Sequence, residues 1–385
     1  MGTSCGMRRL LAGLAIAALA LSRAQAQPQA NSDDVRVRNG FSLETIAHVP
    51  GARELAVTPN GDLLVGTADS DVVLVPDAEG RPGAPRRFTS VDDRPAAGVA
   101  LDGDALYIGA QFGVYKVPYR SGDRSARARP QKIATLRPSS AAGAHVTTTL
   151  AISGDTLYAS VGSSCNNCQP EIDATRATIQ QMRLDGSDMR PKAEHIRNAI
   201  ALAIDGESGH LWAGVAGQDE LAHGHPYEIF DDVGSHDGRV DYGWPYCYEN
   251  RQSVDSHDCS HAAIPRVVFP AYETPIGAAF YPAHAAGAYA FPAPYRGGAF
   301  VALHGSWHQP LVAPRVVFVA LRGDEPKTRV NWSDPTAQWS EFVGGFQQAH
   351  GARSARPTGV AVGPDGSLFV AEDSGGSIYR IRPKK

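Results

Sequence analysis

The chain has 385 residues, 43% hydrophobic and 20% charged, a balance suited to a folded core and not to a disordered chain. Its formal net charge of −4 is spread without basic clusters, which argues against nucleic acid or an anionic membrane surface as a partner.

In chain order, Arg8-Arg9, an apolar run from Leu10 to Leu21 and Ala24-Gln25-Ala26 form a secretory signal peptide, with cleavage expected after Ala26. The apolar run is too short to span a bilayer, and no later segment is apolar enough to insert in one. A periplasmic or secreted protein is therefore expected. Removing residues 1–26 leaves 359 residues and, with Arg8, Arg9 and Arg23 gone, moves the charge from −4 to −7. Residues 27–40 read as a flexible N-terminal segment, polar from Gln27 to Asp34, and residues 41–385 as a single domain.

From there one pattern recurs six times: a short apolar stretch, a Gly- or Asp-containing turn, and a second apolar stretch. The copies are Leu55–Asp69, Val99–Gln111, Leu150–Ser163, Leu202–Gly217, a diverged one from Ile276 to Trp307, and Val360–Asp373. Each reads as a β-hairpin whose turn glycine supplies the left-handed backbone cheaply, as in Asn60-Gly61. A lone hairpin cannot bury its faces, so the repetition predicts an all-β, six-bladed propeller. The strand-like segment Phe41–Val49 lies before the first copy and is expected to complete the last blade, closing the ring. With about 60 residues per blade against roughly 40–45 for a plain one, the surplus belongs to loops, chiefly those between Gly162 and Arg197 and between Gly217 and Ile276.

Four cysteines follow the leader in two close pairs. In an oxidising compartment they predict disulfides Cys165–Cys168 and Cys247–Cys259. A redox pair or half a zinc site is the alternative for the first, but no second metal-spaced pair accompanies it. His145 sits just ahead of the third repeat, where a histidine can serve as a general base. Arg197 and Asn198 precede the fourth repeat, Trp307 ends the fifth and Arg356 precedes the sixth, so a propeller would gather them with His145 at one end of its channel. A base, two guanidiniums, an amide and an indole suit a flat polyanionic ligand. Glu228 and the Asp241–Pro245 stretch offer oxygen ligands of the kind calcium takes.

The pieces SVGSSCNNC (Ser160–Cys168), Arg197-Asn198, DYGWPYCY (Asp241–Tyr248), FVALHGSW (Phe300–Trp307) and RPTGVAVGPDGSLFVAED (Arg356–Asp373) resemble the soluble quinoprotein sugar dehydrogenases, most of all their sorbosone-dehydrogenase-like branch. The resemblance covers nearly the whole mature chain. It implies a six-bladed propeller that binds pyrroloquinoline quinone (PQQ) and Ca2+, oxidises an aldose or sorbosone-like sugar, and passes electrons to an acceptor. It implies His145 as the base that takes the sugar hydroxyl proton as hydride passes to the quinone. Arg197, Asn198 and Arg356 fall on cofactor contacts, His304 and Thr358 on positions where relatives carry cationic cofactor ligands, and Glu228 with the backbone of Tyr242 on a calcium site. The chain departs from the family in having Ala96 and Ala97 where polar residues face substrate, Gln218 for an arginine, and Ala144, with no carboxylate, before His145. Two other functions fit the propeller: a glycan- or protein-binding module without redox activity, and a calcium-dependent lactonase-type hydrolase.

Overall fold

A computed structural model describes residues 1–2, 34–137, 145–308, 311–348 and 351–384. The signal peptide, most of the polar segment from Gln27 and the residue before His145 lie outside the described residues. Among those described there is no α-helix, only strands and two short 3-10 turns, Val233–Ser235 and Ala293–Tyr295. No helix is long and apolar enough to cross a membrane.

Six antiparallel sheets form the blades. Their first strands are Ala52–Val57, Gly98–Asp102, Leu150–Ser153, Ala199–Ile204, Pro275–Phe280 and Pro357–Val362. Each lies against the first strand of the next blade, and the sixth returns to the first, so the sheets close into a propeller around a channel. The repeats are the inner hairpins of these blades. In the second and third, two-residue Gly-Asp turns join Asp102 to Ala105 and Ser153 to Thr156. Hydrophobic side chains divide into one cluster per blade interface, six in all, as a closed ring requires.

Closure occurs as expected. Phe41–His48 pairs antiparallel with the C-terminal strand Ser377–Pro383, becoming the outer strand of blade 6. Phe41 is buried there, with ring centroids 4.6 Å from Phe291 and 4.9 Å from Phe342. Phe41→Ala is expected to cost about 3–5 kcal/mol, read as a lowered midpoint in denaturant unfolding. Arg36–Val37 pairs with Gly344 and Val343 on the outer edge of blade 5, because Val35 and Val37 find apolar cover against the core between blades 5 and 6.

The surplus residues lie where the sequence puts them. Val240–Asp241 adds a fifth, parallel strand to blade 3, beside Ala193 and Glu194, and Cys247–Tyr248 with Gln252–Ser253 makes a small ribbon. Both expected disulfides are formed.

Candidate active site

The first strands start at one face of the wheel, and their leading residues meet there. His145 stands just before blade 3. Its Nδ1 lies 3.0 Å from both the carbonyl and the hydroxyl oxygen of Ser163. A carbonyl can only accept, so Nδ1 carries the proton and Nε2 is left as the basic nitrogen. The Ser163 hydroxyl donates to the Cys165 carbonyl at 2.7 Å, which turns its lone pairs toward the imidazole. Burial, reinforced by the positive charge of Arg197, pulls the His145 pKa down to about 4. Its folded pKa lies below the unfolded one, so native stability is lost as pH falls from about 6.5 toward about 4, where the unfolded chain binds the extra proton. The acid limb of any reaction using this base is accordingly expected near pH 4 and not near 6.5, to be checked by a rate profile between pH 3.5 and 8.

Gly162 holds the neighbouring blades close. A Cβ there would sit 2.4 Å from the His145 Cβ and 2.5 Å from the Asn198 Oδ1. Gly162→Ala is expected to displace both side chains and lower turnover with the fold retained, measurable as reduced rate at unchanged circular dichroism.

Arg197 is buried. Its guanidinium donates to Asp219 at 2.7 Å and to the Asn166 side-chain and backbone oxygens at 3.0 and 3.2 Å. Burial draws its pKa below the ordinary arginine value, against the opposing charges of Asp219 and Glu228. The other side of Asp219 lies 3.7 Å from His308 Nε2, a buried atom without a hydrogen-bond partner. His308 is sandwiched between Tyr272 at 4.0 Å and Trp307 at 3.9 Å. Trp307 itself is 71% exposed, so it is a rim residue and not a core aromatic.

Across the mouth, Arg53 at the start of blade 1 joins the two halves. It donates to Asp373 at 2.9 Å and to the Thr147 hydroxyl at 3.2 Å, two residues from His145. Asp373 in turn lies 3.1 Å from His304 Nε2, and Arg356 donates to the carbonyls of His304 and Gly305 at 3.2 and 2.6 Å. Burial pushes Asp373 up, but the His304 hydrogen bond and the Arg53 charge outweigh it and hold the carboxyl below its ordinary value. For His304, burial prevails and lowers the pKa, so a neutral ring donating to an ionised Asp373 satisfies both. Positions 145, 197, 307 and 356 are thus joined by one chain of contacts running through Ser163, Asn166, Asp219 and His308 on one side and Arg53, Asp373 and His304 on the other. Arg53, Asp373, Ser163, Asn166 and Asp219 belong to the same network but were not singled out in the sequence. Arg53 could have been found by the rule that picked Arg197 and Arg356, since it too leads an innermost strand.

Thr358 does not join the mouth. It is fully buried, and its hydroxyl donates to the Ala52 carbonyl at 3.0 Å, tying blade 6 to blade 1. A threonine on a strand packed this tightly has no open side to offer a ligand. Ala96 and Ala97 are likewise fully buried.

Glu228 is buried, and desolvation raises its pKa to about 7. Its oxygens accept from the N–H of Gly217 at 2.5 Å and of Tyr272 at 3.1 Å. The Tyr242 hydroxyl turns away to Asp231 at 2.7 Å, so only the backbone of Tyr242 is suited to a ligand role. Among the described residues, the one set of three acidic or histidine side chains with ligand atoms within 4.8 Å of one another is Glu194, His195 and Asp241, brought side by side by the extra parallel strand. A cleft lined by Arg197, Gly217, Gln218, Tyr242 and Trp244 opens beside it, and His145 is not in its wall.

The sequence model of the TrAA12-like family matches residues 227–384. The fold is shared with the holo form of the PQQ domain of pyranose dehydrogenase from Coprinopsis cinerea (TM-score 0.77, 19% identity, 93% of this chain and 98% of that one). It is shared with a calcium structure of a family AA12 carbohydrate-active enzyme from Trichoderma reesei (TM-score 0.76, 19% identity, 91% and 97%). A PQQ-bound aldose sugar dehydrogenase from Streptomyces coelicolor also superposes (TM-score 0.61, 18% identity, 90% and 99%). An uncharacterized protein of Borreliella burgdorferi is 24% identical over 234 residues, 60% of this chain and 58% of that protein, so the match spans less than two thirds of that relative's length.

Proposed function

We propose that this chain is a periplasmic or secreted oxidoreductase that binds PQQ and calcium and oxidises an aldose or sorbosone-like sugar, with an external electron acceptor. The observation that supports the reading is a neutral base, His145, joined in one contact network to the guanidiniums of Arg53, Arg197 and Arg356. A flat tricarboxylate suits such a set because guanidiniums pair carboxylates, Arg53, Arg197 and Arg356 exchanging their contacts to Asp373, Asp219 and the Gly305 carbonyl for those of the ligand. The solved neighbours, which include PQQ-bound and calcium structures, support the same reading.

When bound, the quinone supplies the two-electron acceptor for a hydride leaving the sugar carbon. The protein's own part is binding and proton movement. Arg197, Asn198 and Arg356 would hold the cofactor, with His304 at its edge and Trp307 shielding the opening. His145 Nε2 takes the proton of the sugar hydroxyl, and the Ser163 oxygens stabilise the imidazolium that results through its Nδ1–H. Glu228 and the Tyr242 backbone would hold calcium, fastening the long loop after Gly217. Glu228→Gln is expected to abolish the rise in melting temperature that calcium produces.

The test is reconstitution: purified protein is mixed with PQQ and calcium, and dye reduction is followed with a panel of aldoses and sorbosone. Absence of both turnover and quinone-dependent absorbance would overturn the proposal. Buried Ala96 and Ala97, which offer no polar side chain to a substrate, favour the second reading, a glycan- or protein-binding propeller. Calorimetric sugar binding without quinone binding would select it. A lactonase needs unpaired carboxylate and amide ligands in the channel, whereas Asp219 and Asp373 are each paired with a guanidinium.

A further inference from the structure

The loop Ser163–Cys168 lies outside the strands of blade 3, between Thr156–Val161 and Thr178–Arg183, yet both halves of the site lean on it. At one end, Ser163 gives both oxygens to the Nδ1–H of His145, and its own hydroxyl is anchored on the Cys165 carbonyl. Three residues after Ser163, Asn166 is a hub. Its side-chain oxygen accepts from Arg197 at 3.0 Å and from the Asp219 N–H at 2.8 Å, while its amide nitrogen donates to the Asp219 carbonyl at 2.9 Å. Its backbone oxygen accepts from the Arg197 Nε at 3.2 Å and the Trp244 indole at 3.1 Å. The Cys165–Cys168 bond closes a ring around this segment, so the Cys165 carbonyl and Asn166 are held in register with each other.

We propose that the disulfide-closed loop is a positioning device that sets the base and the guanidinium together: through Ser163 it selects the Nδ1–H tautomer of His145, and through Asn166 it aims Arg197. Its bearing on catalysis rests on the function proposed above, but the geometric claim does not. A six-residue stretch outside the strand ladders has many conformations available once its cross-link is gone, and both anchors move with it. The blade keeps its own strands and its buried core, so opening the ring releases the site and leaves the wheel standing. Ser163 and Asn166 are positioning residues, acting through His145 and Arg197.

The test uses the full chain labelled with 15N at histidine and arginine, without quinone, so that it is indifferent to whether the protein oxidises sugars. In the intact protein His145 is expected as a single Nδ1–H tautomer and the Arg197 Nε–H as a slowly exchanging signal. In the Cys165→Ser/Cys168→Ser variant, His145 should become a mixture of tautomers and the Arg197 proton should exchange at least about tenfold faster, as local opening predicts. Asn166→Ala should change the Arg197 signal alone. Ser163→Thr, which keeps the hydroxyl, should preserve the His145 tautomer, and Cys247→Ser/Cys259→Ser should leave both signals as they were. Retention of both signals in the Cys165→Ser/Cys168→Ser protein would overturn the proposal. Loss of its folded circular dichroism would do so as well, since the bond would then be a staple of the whole fold.

Discussion

His145→Ala is expected to lower the maximal rate of sugar oxidation by about 10²–10⁴-fold while leaving quinone binding in place. Burial keeps the His145 imidazole neutral at working pH with its Nε2 left as the basic nitrogen, whereas His304 Nε2 is held by Asp373 and His308 is stacked behind Trp307. Its depressed pKa makes it a modest base in equilibrium terms, but one that is unprotonated across the whole neutral range. Removing it takes away the proton acceptor and nothing that touches a carboxylate. Stopped-flow dye reduction alongside a fluorescence titration of the quinone separates the two effects. A variant that still turns over within a few fold of the parent would show that the proton leaves by another route.

Arg197→Ala carries the second large effect, and it falls on binding. A hydrogen bond to a charged group is worth about 1.5–3 kcal/mol, so the quinone dissociation constant should rise about 10- to 150-fold. Stability should drop too, by about 1–3 kcal/mol, because Asn166 and Asp219 lose their shared donor; Asp219 is partly exposed and can recover some of this from water. Arg197→Lys is expected to restore the charge but not the fork that reaches Asn166 and Asp219 at once, leaving affinity between the two. Titration of each apoprotein and urea unfolding at one pH provide both readings.

Much of the architecture was legible because a propeller writes itself in the sequence as repetition. Turns such as Gly103-Asp104 and Gly154-Asp155 fix hairpin register locally, and the segment at Phe41 had no partner other than the last blade. The mouth was legible in part for the same reason: residues leading an innermost strand must converge, which located His145, Arg197 and Arg356. What remained hidden depends on contacts between blades. Nothing in the spacing of Arg53, Thr147 and Asp373 shows that one guanidinium bridges the other two, since the three are separated by up to 320 residues. Thr358 looked like a ligand position in a linear motif, but its strand packs on Ala52 so closely that the hydroxyl serves the backbone. The grouping of Glu194 and His195 with Asp241 arises from a short parallel strand that no hydrophobic period announces.

The joining of Phe41–His48 to Ser377–Pro383, with the Lys384 N–H reaching the Gly40 carbonyl at 2.8 Å, brings segments that are far apart in the sequence within touch of each other. During synthesis Phe41–His48 must therefore wait for Ser377–Pro383, and no nascent chain that lacks the latter strand can complete the wheel. Joining these two adjacent segments by a short linker and cutting the chain anew in a distant surface loop is a rearrangement the fold should accept.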